Sequence, residues 1–219
     1  MKKVILFGKP GAGKGTRLSA FLEGREEDFE ALSVGNLLRK AAEEQTTLGK
    51  KAKIFMDEGK LVPDDIINEI VIDGISNASK NLLMDGFPRT IAQAKAMLES
   101  GLYPDMLIEF YADDEVVLQR SKDRIVCGEC GEPYTTNEFK RPKNEGFCDK
   151  CGGKLVKRKD DAEEKVVKER LEVYKNETYP VLEFLRNNNV PIHTIDNNQK
   201  EALEEFKKLM LNLMMMDLI

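Results

Sequence analysis

The stretch Lys3-Val-Ile-Leu-Phe7 runs directly into Gly8-Lys-Pro-Gly-Ala-Gly-Lys14-Gly-Thr16, and this passage decides the fold. A short apolar run bounded by glycine reads as a strand buried on both faces. The spacing Gly8-x4-Gly13-Lys14 then fits a phosphate-binding loop, and Arg17-Leu-Ser-Ala-Phe-Leu22 continues as a helix. Glycines let successive backbone N–H groups point into one concavity, with no Cβ in the way of a polyphosphate. The helix opening there adds its own free N–H groups and positive dipole end. Lys14 supplies a mobile point charge that can follow a transferred phosphate. The residue after Lys14 is Gly15, so the hydroxyl of the motif comes one place later, at Thr16.

Outward from that passage, 219 residues suit one α/β domain with insertions. A net charge of -5 leaves no electrostatic footprint for nucleic acid. No apolar run reaches transmembrane length, and the N-terminus leads into a strand rather than a signal peptide. The expected compartment is the cytoplasm. Arginines merit individual attention, because planar bidentate phosphate recognition is what they do better than lysine. His193, in the apolar run Val190-Pro-Ile-His-Thr-Ile195, reads as structural.

Glu23 to Glu30 reads as a solvated acidic connection, Leu32 to Val34 as a short strand, and Gly35 as the start of a helix through Arg39. Leu48 to Glu58 is a second helix closed by Gly59, and Lys60-Leu-Val62 an extended piece. Pro63 in a first helical turn, followed by Asp64 and Asp65, opens a helix to about Ser79. Leu82-Leu-Met84 is the next apolar strand, ending in Asp85-Gly-Phe-Pro-Arg89. Ligands of parallel α/β sheets gather at carboxyl ends of strands, where a carboxylate such as Asp85 can orient the waters of a phosphate-bound Mg²⁺. Helix from Thr90 to Ser100, strand from Met106 to Tyr111 and helix from Asp113 to about Arg124 follow. The last would place Arg120 and Arg124 on one face at i, i+4. Beyond Arg158-Lys-Asp-Asp161, helical spacing runs from Ala162 to Lys175, and Pro180 starts a further helix. A final strand covers Val190 to Ile195, with a packed, methionine-rich helix to the C-terminus.

Between these elements, Cys127-Gly-Glu-Cys130-Gly and Cys148-Asp-Lys-Cys151-Gly form two matched knuckles. Two C-x-x-C pairs at this separation point to a tetrahedral structural metal site, with two disulfides as the alternative. Four thiolates would leave no open position for catalysis. The segment from Ile125 to Lys159 is too short to build its own core, so a metal would supply much of its folding energy.

With loop, Asp-Gly-Phe-Pro-Arg and knuckles together, the chain resembles the bacterial-type adenylate kinases with a long zinc-stabilised lid, over Val4 to about Asp196. The resemblance implies a five-stranded parallel P-loop core in three layers (1–32, 63–122 and 162–219), a helical monophosphate-binding insertion at 33–62 and a lid at 123–161. It implies that Gly11, Ala12, Gly13, Lys14, Gly15 and Thr16, with Arg120 and Arg124, hold ATP. AMP would meet Val34, Arg39, Lys60, Leu61, Val62, Gly86, Phe87, Pro88, Arg89 and Gln93. Arg158 and Arg170 would reach the same phosphates, with Lys14 and Arg124 beside them in catalysis. Asp85 would order Mg²⁺ waters, and Cys127, Cys130, Cys148 and Cys151 would hold Zn²⁺. The implied reaction is ATP + AMP ⇌ 2 ADP in a monomer whose partners are nucleotides, not nucleic acid or membrane. A sister kinase using GTP or another monophosphate is the alternative; a switch NTPase and a nucleic-acid-binding zinc ribbon are rivals of other classes. Three departures stand out: the family's usual Ser-Thr-Gly-Asp is Ser33-Val34-Gly35-Asn36 here, the usual Arg pair before the first knuckle is Arg124-Ile125, and one extra residue separates Asp161 from Arg170.

Overall fold

The apolar run after Lys3 forms β1 (Lys3–Phe7), and α1 (Lys14–Leu22) follows the glycine loop. The computed structural model describes residues 1–76, 78–137, 140–158, 161 and 163–215. The chain continues through β2 (Phe29–Ser33), α2 (Val34–Glu43), α3 (Thr47–Asp57) and α4 (Asp64–Ser76). Next come β3 (Asn81–Asp85), α5 (Ile91–Glu99), β4 (Met106–Tyr111) and α6 (Asp114–Asp123). Three short strands follow, β5 (Arg124–Cys127), β6 (Pro133–Thr135) and β7 (Leu155–Val156). The last elements are α7 (Glu164–Val173), α8 (Pro180–Asn187), β8 (Ile192–Asp196) and α9 (Ala202–Met215).

Among the described residues the main sheet has five strands in the order β2-β3-β1-β4-β8, with every pairing parallel. Alternation along the strands splits the core in two. Ile5 and Phe7 join Leu82, Met84 and Leu107 on the face covered by α2, α4, α5 and α8. Val4 and Leu6 join Leu83, Ile108, Phe110 and Ile195 on the face covered by α1 and α9. Burial on both faces is why β1 and β3 read as continuous apolar runs. On the second face Phe206 packs against Phe21 and Phe110, with ring centroids 5.3 and 5.2 Å apart. Each such phenyl contributes roughly 1.5–3 kcal/mol by leaving water. Gly8 leaves β1 at φ 135°, where a Cβ would collide with the Phe110 carbonyl, so only glycine lets β4 lie this close to the loop. The short strands form a separate antiparallel sheet, β6-β5-β7.

Several local expectations are corrected. β2 begins at Phe29, inside the stretch read as an acidic connection, because the Phe29 ring is buried beside Phe21 at 4.9 Å between centroids. Val34 belongs to α2 rather than to the strand. Pro63 precedes its helix, its carbonyl accepting from the N–H groups of Ile66 and Ile67 at 3.1 Å. α6 stops at Asp123 and Arg124 starts β5, so Arg120 and Arg124 do not share a helix face. Pro180 does start α8, as expected, but a π-helical turn, Tyr174–Thr178, joins α7 to it without a break. The terminal helix packs through Phe206, Met210 and Leu213, and residues 216–219 lie outside the described residues. His193 is half exposed on β8 and meets Glu205 of α9 at 3.0 Å. No described helix is long and apolar enough to cross a membrane.

Candidate active site

β1 and β3 are neighbours with Leu6 opposite Asp85, so the glycine loop and the Asp85–Arg89 segment leave the sheet side by side. In the loop the Lys14 ammonium donates to the carbonyls of Gly8 at 2.6 Å and Lys9 at 2.9 Å. Burial pulls its pKa down from 10.5 to about 8; Asp85 opposes that shift, while Arg89, Arg124 and Arg170 add to it. One lysine feels three guanidinium groups and one carboxylate, carried by β3, the loop after it, β5 and α7. Such a concentration of positive charge is a place for a polyanion. Beside the loop, Arg120 donates to the carbonyls of Ala12 (3.1 Å) and Asn197 (2.7 Å). Buried Asn197 also donates to Ala12 and accepts from Arg17 Nε at 2.9 Å.

On the β3 side, a cis peptide joins Phe87 to Pro88. Arg89 Nε donates to the Gly86 carbonyl at 2.9 Å, and the Arg89 amide to Gln93 Oε1 at 2.7 Å. Gln93 Nε2 donates to Asp64 Oδ1 at 2.6 Å, and Asp64 Oδ2 accepts from Thr90 Oγ1 at 3.1 Å. Thr90 caps α5 by accepting from the Gln93 amide. Arg39, one turn into α2, donates to Asn36 Oδ1 at 2.5 Å.

Three arginines meet at one buried carboxylate. Arg124 forks onto both oxygens of Asp161 at 2.6 Å, Arg170 reaches Oδ1 at 3.1 Å, and Arg158 Nε stands 3.8 Å from Oδ2. The extra residue between Asp161 and Arg170 is absorbed without taking Arg170 away from the group.

The small sheet closes over α1. Glu132 accepts from Ser19 of α1 and from Lys140, whose ammonium also donates to Ser19 Oγ at 3.0 Å. Gly131 approaches α2 so closely that a Cβ there would lie 3.1 Å from Asn36 Nδ2. In the same segment the sulfurs of Cys127, Cys130, Cys148 and Cys151 all lie within 4.8 Å of one another. Cys127 and Cys151 are 3.4 Å apart and Cys130 and Cys148 3.6 Å, far beyond the ~2 Å of a disulfide. Four Zn–S bonds of ~2.3 Å in a tetrahedron would set sulfurs roughly 3.8 Å apart, so the group fits such an ion. Gly131 and Gly152, after each pair, adopt φ 73° and 74°, the matched left-handed turns that bring both pairs of thiols inward.

A cleft of about 1580 Å³ unites these parts, larger than the ~300–1,000 Å³ typical of a single small-molecule site. It is bordered by Gly11, Gly13 to Thr16, Val34, Arg39, Lys60 to Val62, Asp85 to Arg89, Gln93, Arg120, Arg124, Arg158 and Arg170. Ala12 is the exception: its side chain is buried and its N–H donates to the Lys9 carbonyl at 3.0 Å. Sequence reasoning missed Asp64, Asp161, Asn197 and the Ser19–Glu132–Lys140 contact. Of these only Asp161, next to Arg158 in the chain, carried a signal, because buried guanidinium groups call for a carboxylate.

The sequence profile described as adenylate kinase matches residues 6–190 of this chain. An adenylate kinase of Clostridium tetani (strain Massachusetts / E88) is 43% identical over 208 residues, covering 92% of this chain and 94% of that protein. One of Caldicellulosiruptor saccharolyticus is 40% identical over 95% of this chain and 97% of its own, and one of Thermoanaerobacter sp. (strain X514) 39% identical over 94% and 96%.

Proposed function

The chain belongs to the adenylate kinase family, phosphotransferases that interconvert ATP and AMP with two ADP, and from that premise we propose a division of labour within its cleft. The core (1–32, 63–122 and 162–219) binds ATP phosphates through the loop from Gly11 to Thr16 and through Lys14, with Arg120 and Arg124 over them. The insertion at 33–62 presents Val34, Arg39 and Lys60 to Val62 to AMP, facing Gly86 to Arg89 and Gln93. The lid at 123–161 brings Arg124 and Arg158 over the phosphoryl group in flight, and Arg170 joins them from α7. The observation that carries this reading is the electrostatic environment of Lys14, where Asp85, Arg89, Arg124 and Arg170 act on one ammonium.

Phosphoryl transfer is loose, so the protein has alignment and charge compensation to do and needs no general base. Holding donor and acceptor in line makes the encounter unimolecular. Arg89 fixes the acceptor phosphate, while Lys14, Arg124, Arg158 and Arg170 meet charge developing on the transferred group. Adenylate kinases take ATP with Mg²⁺, whose chemistry is to offset charge between the phosphates; Asp85 at the end of β3 would hold its waters. Closure through Ser19, Glu132 and Lys140 excludes water that would otherwise hydrolyse ATP. The four cysteines would hold a structural Zn²⁺ away from the chemistry. The reading is completed by a monomer in the cytoplasm, whose reducing conditions suit free thiols.

A coupled assay over a panel of nucleoside mono- and triphosphates tests it. ADP should form fastest from ATP plus AMP. ATP hydrolysis indifferent to any monophosphate, or a clear preference for GTP or another acceptor, would overturn the assignment.

A further inference from the structure

We propose that Asp64 is the specificity-determining residue of the acceptor site, locking the Gln93 amide in the one orientation that accepts a 6-amino purine and rejects a 6-oxo purine. The inference rests on the reading above that Gln93 faces the acceptor base.

An amide can usually be turned end for end without changing its shape, and only its partners decide which end is oxygen. Here both partners are unambiguous. A backbone N–H can only donate, so the atom 2.7 Å from the Arg89 amide is the oxygen. An ionised carboxylate can only accept, so the atom 2.6 Å from Asp64 Oδ1 is the nitrogen. Turning Gln93 over would set donor against donor at Arg89 and acceptor against charged acceptor at Asp64. Asp64 is itself held, because Thr90 Oγ1 donates to its second oxygen at 3.1 Å while capping α5. Gln93 is 2% exposed, so protein partners rather than bulk water set its orientation.

Each end of the amide retains one bonding position, a second lone pair on Oε1 and a second hydrogen on Nε2, and Gln93 borders the cleft. Those two positions match the donor N6–H and acceptor N1 of adenine. Hypoxanthine presents an acceptor at O6 and a donor at N1, the reverse order, and could be read only by a Gln93 turned over. A free glutamine would read either base. The carboxylate of Asp64 therefore turns a two-way reader into a one-way reader, while touching no substrate itself. It is a positioning residue.

The test compares AMP with IMP, which differ only at C6 and in the N1 proton that goes with it, as acceptors in the ATP-coupled assay. Asp64→Asn can either donate or accept, so the AMP:IMP ratio of kcat/KM should fall about tenfold, with the KM for ATP unchanged. The Arg89 N–H remains, so the preference shrinks rather than inverts. Gln93→Ala should collapse the ratio, and Asp64→Asn added to it should do nothing more. If Asp64→Asn keeps the wild-type ratio, or the two changes act independently, Asp64 is not the lock and the reading of Gln93 stands. If Gln93→Ala leaves the ratio intact, Gln93 does not read the base, and that reading fails together with the inference. A measurement on the wild-type chain covers the case in which Asp64→Asn does not fold. Isotope-edited NMR should show scalar coupling across the hydrogen bond between Gln93 Nε2 and Asp64 Cγ, persisting with AMP bound. Its disappearance on AMP binding would overturn the lock.

Discussion

Arg124 holds Asp161 by both carboxylate oxygens at 2.6 Å, and the Asp161 side chain is wholly buried although the cleft lies beside it. A carboxylate in that position holds Arg124, Arg158 and Arg170 to one point. Asp161→Asn leaves three guanidinium groups facing one another across a neutral amide. Breaking a buried pair of this kind costs about 3–5 kcal/mol, divided here between stability and transition-state charge compensation. The expected result is a lowered Tm together with a kcat drop of at least about tenfold, read by thermal unfolding and initial rates. A variant with wild-type kcat would show that the arginines do not depend on Asp161 for their placement.

Lys14 predicts a pH dependence with a definite sign. Its native pKa lies near 8 against 10.5 for an ordinary lysine. Between those values the unfolded chain holds a proton that the native chain lacks, so the nucleotide-free protein gains stability as pH rises from about 8 to about 10.5 and loses it again as pH falls through about 8. Phosphate binding demands the opposite, charged form. ATP affinity should therefore weaken above about pH 8, by up to about tenfold per pH unit, in calorimetric titrations. Lys14→Ala should bind ATP weakly and without that dependence, and should lose turnover by several kcal/mol of transition-state stabilisation. A wild-type affinity that is flat through about pH 9.5 would remove Lys14 from the phosphate site.

The Ser19–Glu132–Lys140 contact joins the 123–161 segment, the proposed lid, to α1. The Glu132 and Lys140 side chains are 13% and 24% exposed, shielded enough for the pair to favour closure. Glu132→Gln should shift the lid toward open by about 1 kcal/mol, raising the ATP KM several-fold while leaving the Tm of the core within a few degrees. Fluorescence transfer between labels on the lid and on α9 reads the same shift directly. An unchanged transfer efficiency would mean that closure is held elsewhere.

What the sequence made legible follows from the range of the forces involved. β1, its glycine loop and α1 are set by neighbours in the chain: apolar continuity, glycine spacing, a helix start. So are the two cysteine knuckles, whose short loops restrict both thiols. Charge spacing alone puts Arg124 on a helix, because it cannot show where α6 gives way to β5, a boundary decided by pairing with Thr135. The acidic flank of Phe29 hides a ring whose partner, Phe21, belongs to another element. Asp64, 29 positions from Gln93, has no local signature at all. Its role appears only when α4 and α5 are packed side by side.

The cysteines give the last prediction. Their separations fit one tetrahedral ion rather than two disulfides, and the only apolar cluster in that segment among the described residues is Cys127, Tyr134 and Cys148 with Ile125 and Leu155. So small a cluster cannot order the segment unaided, and metal binding becomes folding energy. Purified protein should carry one metal ion per chain and react as four free thiols once denatured in chelator. Cys148→Ser should lower the Tm, with hydrogen exchange accelerating most across 125–158 and little in β1, β3 and β4. The glycine loop should still bind ATP, since its strands and helices are built on the two apolar clusters of the main sheet. kcat should fall because Arg124 and Arg158, at the two ends of that segment, are no longer held over the cleft. Restoring the geometry should therefore restore the rate: cobalt or cadmium in place of the native ion should support wild-type turnover. A rate that changes with the identity of the metal would place the ion in the chemistry and refute its structural role.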